Sequence, residues 1–239
     1  MSNEKNVLIV ESKNDEIFLK TLINHLNIDN IVFHEPICRI DDYECMEGLN
    51  PTKLQKALFS LKNKLPKSDI KMIGIVIDHD GKYEERLSWI NEAIKKVFES
   101  DKEFSTVSEI ITISVDVDVD DRRSLKLSYF LTNVNGKGEL ETLLKAIKSQ
   151  DSVYADCLET WRACLQENGK SISEKEFDKF WHNNYIRFDT CTNREKKQAE
   201  RKCSMRNFEY IMGNKKNIWN FEHETLNELK DFLAQFKTD

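Results

Sequence analysis

The chain has few chain breakers: 7 Gly and 3 Pro in 239 residues, with no Pro after Pro66. That scarcity excludes a fibrous repeat or a Gly-rich linker chain and favours helix over long stretches. Its six cysteines (Cys38, Cys45, Cys157, Cys164, Cys191 and Cys203) contain no Cys-x-x-Cys pair, so neither a zinc ribbon nor a thioredoxin-type redox motif is indicated. Free thiols of a cytoplasmic protein are the expectation. No apolar run reaches the length of a membrane span, and Met1-Ser2-Asn3-Glu4-Lys5 has no apolar signal core, so no membrane partner is expected. An excess of positive charge is also missing. The net charge of -6 argues against coating nucleic acid by bulk electrostatics and leaves a local basic patch as the route to phosphate. With 39% hydrophobic and 33% charged residues, the composition is that of a globular chain with a substantial core, not a disordered one.

Alternation of strand and helix patterns is what the first half does contain. Residues 6–10 read as a buried strand, followed by a helix with Ile17, Phe18, Leu22, Ile23 and Leu26 at helical spacing. Ile31-Val32-Phe33 is a second strand, Pro51 to about Leu65 a helix, Lys71–Ile77 a strand, and about Glu84 to Glu99 a helix. This order predicts an α/β fold with a mainly parallel sheet, right-handed crossovers and flanking helices. The period then changes to two. Ile111, Ile113, Val115, Val117 and Val119 face one way while Thr112, Ser114, Asp116, Asp118 and Asp120 face the other. With Asp121-Arg122-Arg123-Ser124 as a turn into Leu125–Leu131, a hairpin-like sheet edge is expected. From Gly138 onward the pattern is helical, over about 139–149, 152–167, 173–186, 194–212 and 222–236. The expected organisation is an α/β core over 1–150 and a helical elaboration over 151–239, packed as one continuous unit.

Two apolar strands end in carboxylates: Val7-Leu8-Ile9-Val10-Glu11-Ser12 and Gly74-Ile75-Val76-Ile77-Asp78-His79-Asp80-Gly81. Open α/β sheets place their chemistry at the carboxyl ends of strands. In an extended backbone Asp78 and Asp80 point to one side and His79 to the other, so the two aspartates suit a shared hard cation. With Glu11 they form a candidate Mg²⁺ set, for which Mn²⁺ would substitute, and such ions activate water and stabilise leaving oxygens in phosphodiester cleavage. The competing reading is that acidic residues favour a helix's first turn. Asp15 is either a further ligand or part of a Ser12-x-x-Asp15 capping box. His79 is expected to pack or hydrogen-bond. Asp116, Asp118 and Asp120 lack the glycine and distal glutamate of a helix-loop-helix calcium site and read as a solvated strand face. Asn133-Val134-Asn135-Gly136-Lys137-Gly138 does not match a P-loop and reads as a turn leading to Glu139 and Glu141.

Arg194, Lys196, Lys197, Arg201, Lys202 and Arg206 concentrate positive charge on one expected helix. They form either a solvated face or a surface that tracks the phosphates of DNA or RNA.

Val10-Glu11-Ser12-Lys13-Asn14-Asp15 resembles the Val-Glu-Gly-x-x-Asp of the Toprim domain of topoisomerases, bacterial primases, RNase M5-type nucleases and OLD-family nucleases. Ile77-Asp78-His79-Asp80-Gly81 resembles its hydrophobic-Asp-x-Asp-x, and Ser12 stands where the family usually has Gly. Gly138-Glu139-Leu140-Glu141-Thr142-Leu143-Leu144 resembles the Gly-x-Leu-Glu-x-Leu segment of a small stand-alone Toprim-like family of bacteria and archaea. The resemblance implies a Toprim-like, Rossmann-like fold over most of the chain. It implies Glu11 as the acid/base or metal-binding glutamate, Asp78 and Asp80 as Mg²⁺ ligands, Glu141 as a further acidic contributor and Lys202 as a late lysine. The expected activity is Mg²⁺-dependent phosphodiester cleavage of DNA or RNA, by a stand-alone nuclease or an anti-phage effector. The alternative is a non-catalytic Toprim-like module that binds nucleic acid, nucleotide, a partner protein or a second copy of itself. A receiver-like or dehalogenase-like phosphotransfer domain would need a Lys- and Thr-bearing set of later strand ends, which is not found.

Overall fold

A computed structural model describes residues 5–38, 49–118, 121–197 and 202–237. The chain divides into two compact units, Met1–Thr132 with Asn227–Asp239, and Asn133–Leu226.

The first unit is built on β1 (Lys5–Val10), α1 (Lys13–His25), β2 (Ile31–Phe33), α2 (Pro51–Lys62), β3 (Ile70–Asp78), α3 (Tyr83–Phe98), β4 (Ile111–Asp118) and β5 (Asp121–Thr132). The strands form one sheet in the order β2-β1-β3-β5-β4. β1 pairs in parallel with β2 and β3, β3 pairs in parallel with β5, and β4 runs antiparallel to β5. The expected α/β class and mainly parallel sheet are present. Central β1 and β3 are apolar on both faces because both faces are covered. Edge strand β4 alternates buried and exposed residues because one face is wet.

Local signals account for the helix starts. Ser12 caps α1 in a capping box with Asp15, and Asn50 caps α2 with Pro51 in the first turn. On one sheet face Val7, Ile9, Ile73, Ile75, Ile77, Leu127 and Leu131 pack with Leu54 and Leu58 of α2 and Ile90 and Ile94 of α3. Each such fully buried aliphatic side chain contributes roughly 1.5–3 kcal/mol by leaving water.

The second unit holds α4 (Leu140–Ala146), α5 (Val153–Glu167), α6 (Glu174–Asn184), a π-helical turn (Tyr185–Thr190), α7 (Asn193–Lys196) and α8 (Phe208–Asn214). A disulfide joins Cys191 and Cys203, and Cys38 in the first unit is also disulfide-bonded. The expectation of free thiols is corrected at these three positions and holds for Cys157 and Cys164. The single basic helix expected over 194–212 is corrected too. Thr192 caps a four-residue α7, and the disulfide turns the chain back before α8. Val119, Asp120 and Arg201 lie outside the described residues, and 121–124 belong to β5 rather than to a turn.

The last helix, α9 (Asn227–Ala234), returns to the first unit. The boundary between the two units falls after Thr132. Its cause is visible in both segments: α4 packs with α6, while Phe232 and Phe236 carry an apolar face back to the sheet. The Phe232 ring meets Phe130 of β5 at 5.6 Å, and the Asn6 side-chain amide donates to the Phe236 carbonyl at 2.9 Å. Among the described residues no helix is long and apolar enough to cross a membrane.

Gly74 of β3 is where this return is tightest. A Cβ there would stand 2.5 Å from both Leu8 Cδ2 and Phe236 Cζ, and 3.2 Å from Phe232 Cζ. Gly74→Ala is expected to cost about 1–3 kcal/mol of stability through overpacking, read as a lower urea midpoint. An unchanged midpoint would mean that α9 does not seat on the strand this closely.

Candidate carboxylate site

Because β1 and β3 are parallel neighbours with Val10 opposite Val76, both strands end at the same sheet edge. The Glu11 carboxylate there accepts the Asp78 N–H at 3.3 Å. β5 lies on the other side of β3, and its last residue, Thr132, accepts the His79 N–H at 3.0 Å. These two bonds pin the β3 exit from both flanks.

Beyond Asp78 the backbone is no longer extended. Asp80 and Gly81 take φ of +51° and +70°, so strand alternation does not govern Asp80. The expectation that Asp78 and Asp80 share one side by pleat is corrected on that ground. Asp80 instead receives the Arg86 guanidinium, Nη2 donating to Oδ2 at 2.8 Å. Arg86 is in the first turn of α3, is only 4% exposed, and lies over the Trp89 ring at 4.5 Å. Its Nε and Nη1 are buried with no hydrogen-bond partner among the described residues. His79 is buried, and its Nδ1 accepts the Gly81 N–H at 3.0 Å, which steadies the turn. Burial lowers its pKa, in keeping with a neutral ring that accepts at Nδ1.

Glu11 is pushed up to about 7, chiefly by burial and then by the charge of Asp15, with Asp80 adding to the rise while Arg86 and the Asp78 N–H oppose it. Asp15 is largely occupied by its helix cap, accepting from Ser12 N at 2.8 Å and Ser12 Oγ at 2.6 Å. Glu11 thus bonds the Asp78 amide and feels the charges of Asp15, Asp80 and Arg86, while Asp80 is paired with that buried arginine.

Among the described residues no group of three or more His, Cys, Asp or Glu is disposed to hold a metal ion. The donor chemistry is nevertheless that of a hard cation: carboxylates at strand ends, one of them, Glu11, with its pKa raised to about 7 chiefly by burial and then by the charge of Asp15. Glu141 sits in the first turn of α4, and Lys196, Lys197, Lys202 and Arg206 also belong to the second unit.

Arg86 was not singled out in the sequence. A signal was available, since a basic residue in a helix's first turn opposes the helix dipole and so needs a local anion.

A model of the proteins of unknown function termed DUF3226 matches residues 5–238. The chain belongs to the DUF3226 family. Nothing among the curated proteins or the solved structures matches this chain. The family thus spans both units, with the carboxylate edge in one and the basic segment in the other.

The Glu11 shift predicts a pH dependence of stability in the metal-free protein. An unfolded Glu loses its proton near 4.5 and the folded one holds it to about 7, so between those values the unfolded state binds fewer protons and stability falls as pH rises. The full loss is on the order of 3 kcal/mol. Glu11→Gln should flatten this slope in denaturant titrations run with chelator; an unchanged slope would mean that Glu11 titrates normally.

Proposed function

We propose that the protein is a Mg²⁺-dependent phosphodiester-cleaving enzyme of Toprim type acting on DNA or RNA. The observation that carries this reading is the meeting of Glu11 with the Asp78 amide at the ends of two adjacent parallel strands, with Asp80 and a buried arginine beside them. The strand-end motifs that resemble the Toprim domain are the same residues that the sheet register aligns.

Asp78 and Asp80 would hold the ion, which when bound supplies charge neutralisation at the scissile phosphate. Glu11, with a pKa of about 7, is suited to take or return a proton at its carboxylate near neutral pH. Arg86, whose guanidinium Asp80 holds in place, would contribute a buried positive charge beside the carboxylates that favours an anionic phosphate. Burial of Glu11 and Arg86 strengthens these interactions relative to water.

The test is cleavage of single- and double-stranded DNA and structured RNA in Mg²⁺ or Mn²⁺. Wild type should cleave at least one class. A Glu11→Gln, Asp78→Asn double variant should lose activity by about a hundredfold or more. Equal, metal-independent background in both proteins would overturn the reading.

The Asp80–Arg86 pair favours a second reading, a non-catalytic module in which Arg86 serves permanently as the cation. Calorimetry separates the two. Mg²⁺ binding that Asp78→Asn and Asp80→Asn abolish supports the enzyme, and absence of binding supports the module.

A further inference from the structure

The helical unit carries an exposed aromatic row. Tyr154 and Trp161 lie seven residues apart on α5, hence on one face and roughly 10 Å apart along it. Tyr154 meets Phe188 of the π-helical turn at 5.8 Å, tilted by 35°, and Trp161 meets Phe180 of α6 at 5.4 Å. These rings are 63, 42, 40 and 42% exposed in the order Tyr154, Phe188, Trp161, Phe180. Four such rings in water are costly unless something covers them.

Cations collect at the Phe188 end. Arg187 and Lys196 lie over the Phe188 ring at 5.7 and 5.4 Å. Residues 185–206 hold seven Lys and Arg against three Asp and Glu, a net of +4 in a chain whose net is -6. The described acids of this stretch are already engaged. Asp189 accepts the backbone N–H groups of Tyr154 and Ala155 at 2.9 and 3.0 Å. Burial works to raise the Glu195 pKa, yet Lys215 and the Thr192 cap outweigh it and hold it down at about 2. Arg187, Arg194, Lys196 and Lys197 form no ion pair among the described residues.

The platform is braced from behind. Tyr185 is buried, stacks on Trp181 at 5.1 Å and donates to the Ile218 carbonyl at 2.7 Å. Lys215 donates to the Thr190 carbonyl at 2.8 Å, and the Cys191–Cys203 disulfide brings Lys202 back beside the start of α7. A surface so held loses little conformational entropy when a ligand arrives.

We infer that this face binds single-stranded nucleic acid, with bases stacked on Tyr154 and Phe188 and phosphates met by Arg187, Arg194, Lys196 and Lys197. Stacking surfaces interleaved with unpaired cations suit a flexible strand whose bases are open. A duplex hides its base faces, so it would use the cations alone. The inference deepens the nucleic-acid reading above by naming the strand form, and it rests on residues separate from the carboxylate edge.

The experiment is fluorescence anisotropy of labelled oligo-dT and oligo-U with the full chain in chelator, where cleavage plays no part. A failure here is therefore distinct from a failure of the cleavage assay. Phe188→Ala and Tyr154→Ala should each weaken binding by about fivefold or more, and Phe188→Trp should retain it. Arg187→Ala and Lys196→Ala should each reduce the salt slope by about 0.7. Should Phe188→Ala compromise folding, Tyr154→Ser at the more exposed position carries the test. The proposal is overturned if the aromatic variants bind like wild type, if duplex competes as well as single strands, or if sedimentation shows a dimer that Phe188→Ala dissolves.

Discussion

The hydrogen bond from the Asp78 amide to the Glu11 carboxylate depends on a single register, that of β1 on β3. A slip of one residue would turn every side chain of the strand to the opposite face. It would also carry Glu11 away from the β3 exit. That register is enforced by residues far from the chemistry, since Ile9 and Ile75 must face α2 and α3 while Leu8 and Gly74 face the last helix. The carboxylate edge is thus a by-product of filling two faces of one sheet correctly. Its energetic cost appears as a Glu held near neutrality and an Arg buried with idle donors, a state that only well-placed opposite charges make tolerable.

Charge is distributed unevenly along the chain, and the unevenness suits a protein that handles an anionic polymer. A cluster of carboxylates repels phosphate, whereas a basic surface raises local concentration and speeds encounter. Under the proposed function, separating the two tasks would let the acidic edge remain desolvated while capture occurred elsewhere in the chain. On the proposed strand-binding face, the aromatic rings of the helical unit would add a sequence-tolerant affinity that charge alone does not provide.

Much of this was legible in the residues themselves. The apolar runs at 6–10 and 71–77, the capping box at Ser12 and the alternation over 111–118 each carry a local physical signal, and each is an element of the structure. Other features were hidden because they depend on distant partners. Strand pleat predicts the side for Asp80 only while the chain stays extended, and the turn at Asp80–Gly81 ends that regime. The basic segment has helical composition but is broken by a bond between Cys191 and Cys203, whose spacing announces no motif. The role of the last helix is likewise tertiary. Phe232 and Phe236 look like any amphipathic pair until Gly74 supplies the bare patch they fill.

That last contact has a consequence for how the chain acquires its structure. The ribosome finishes β1, β3 and β5 early, but the phenylalanines that cover Gly74 emerge only after the whole helical unit has been made. During that interval one face of a strongly apolar sheet lacks its lid, and such surfaces attract chaperones or one another. The helical unit is in effect a long insertion whose synthesis time sets how long the sheet stays exposed, so the speed of translation through it bears on the yield of folded protein.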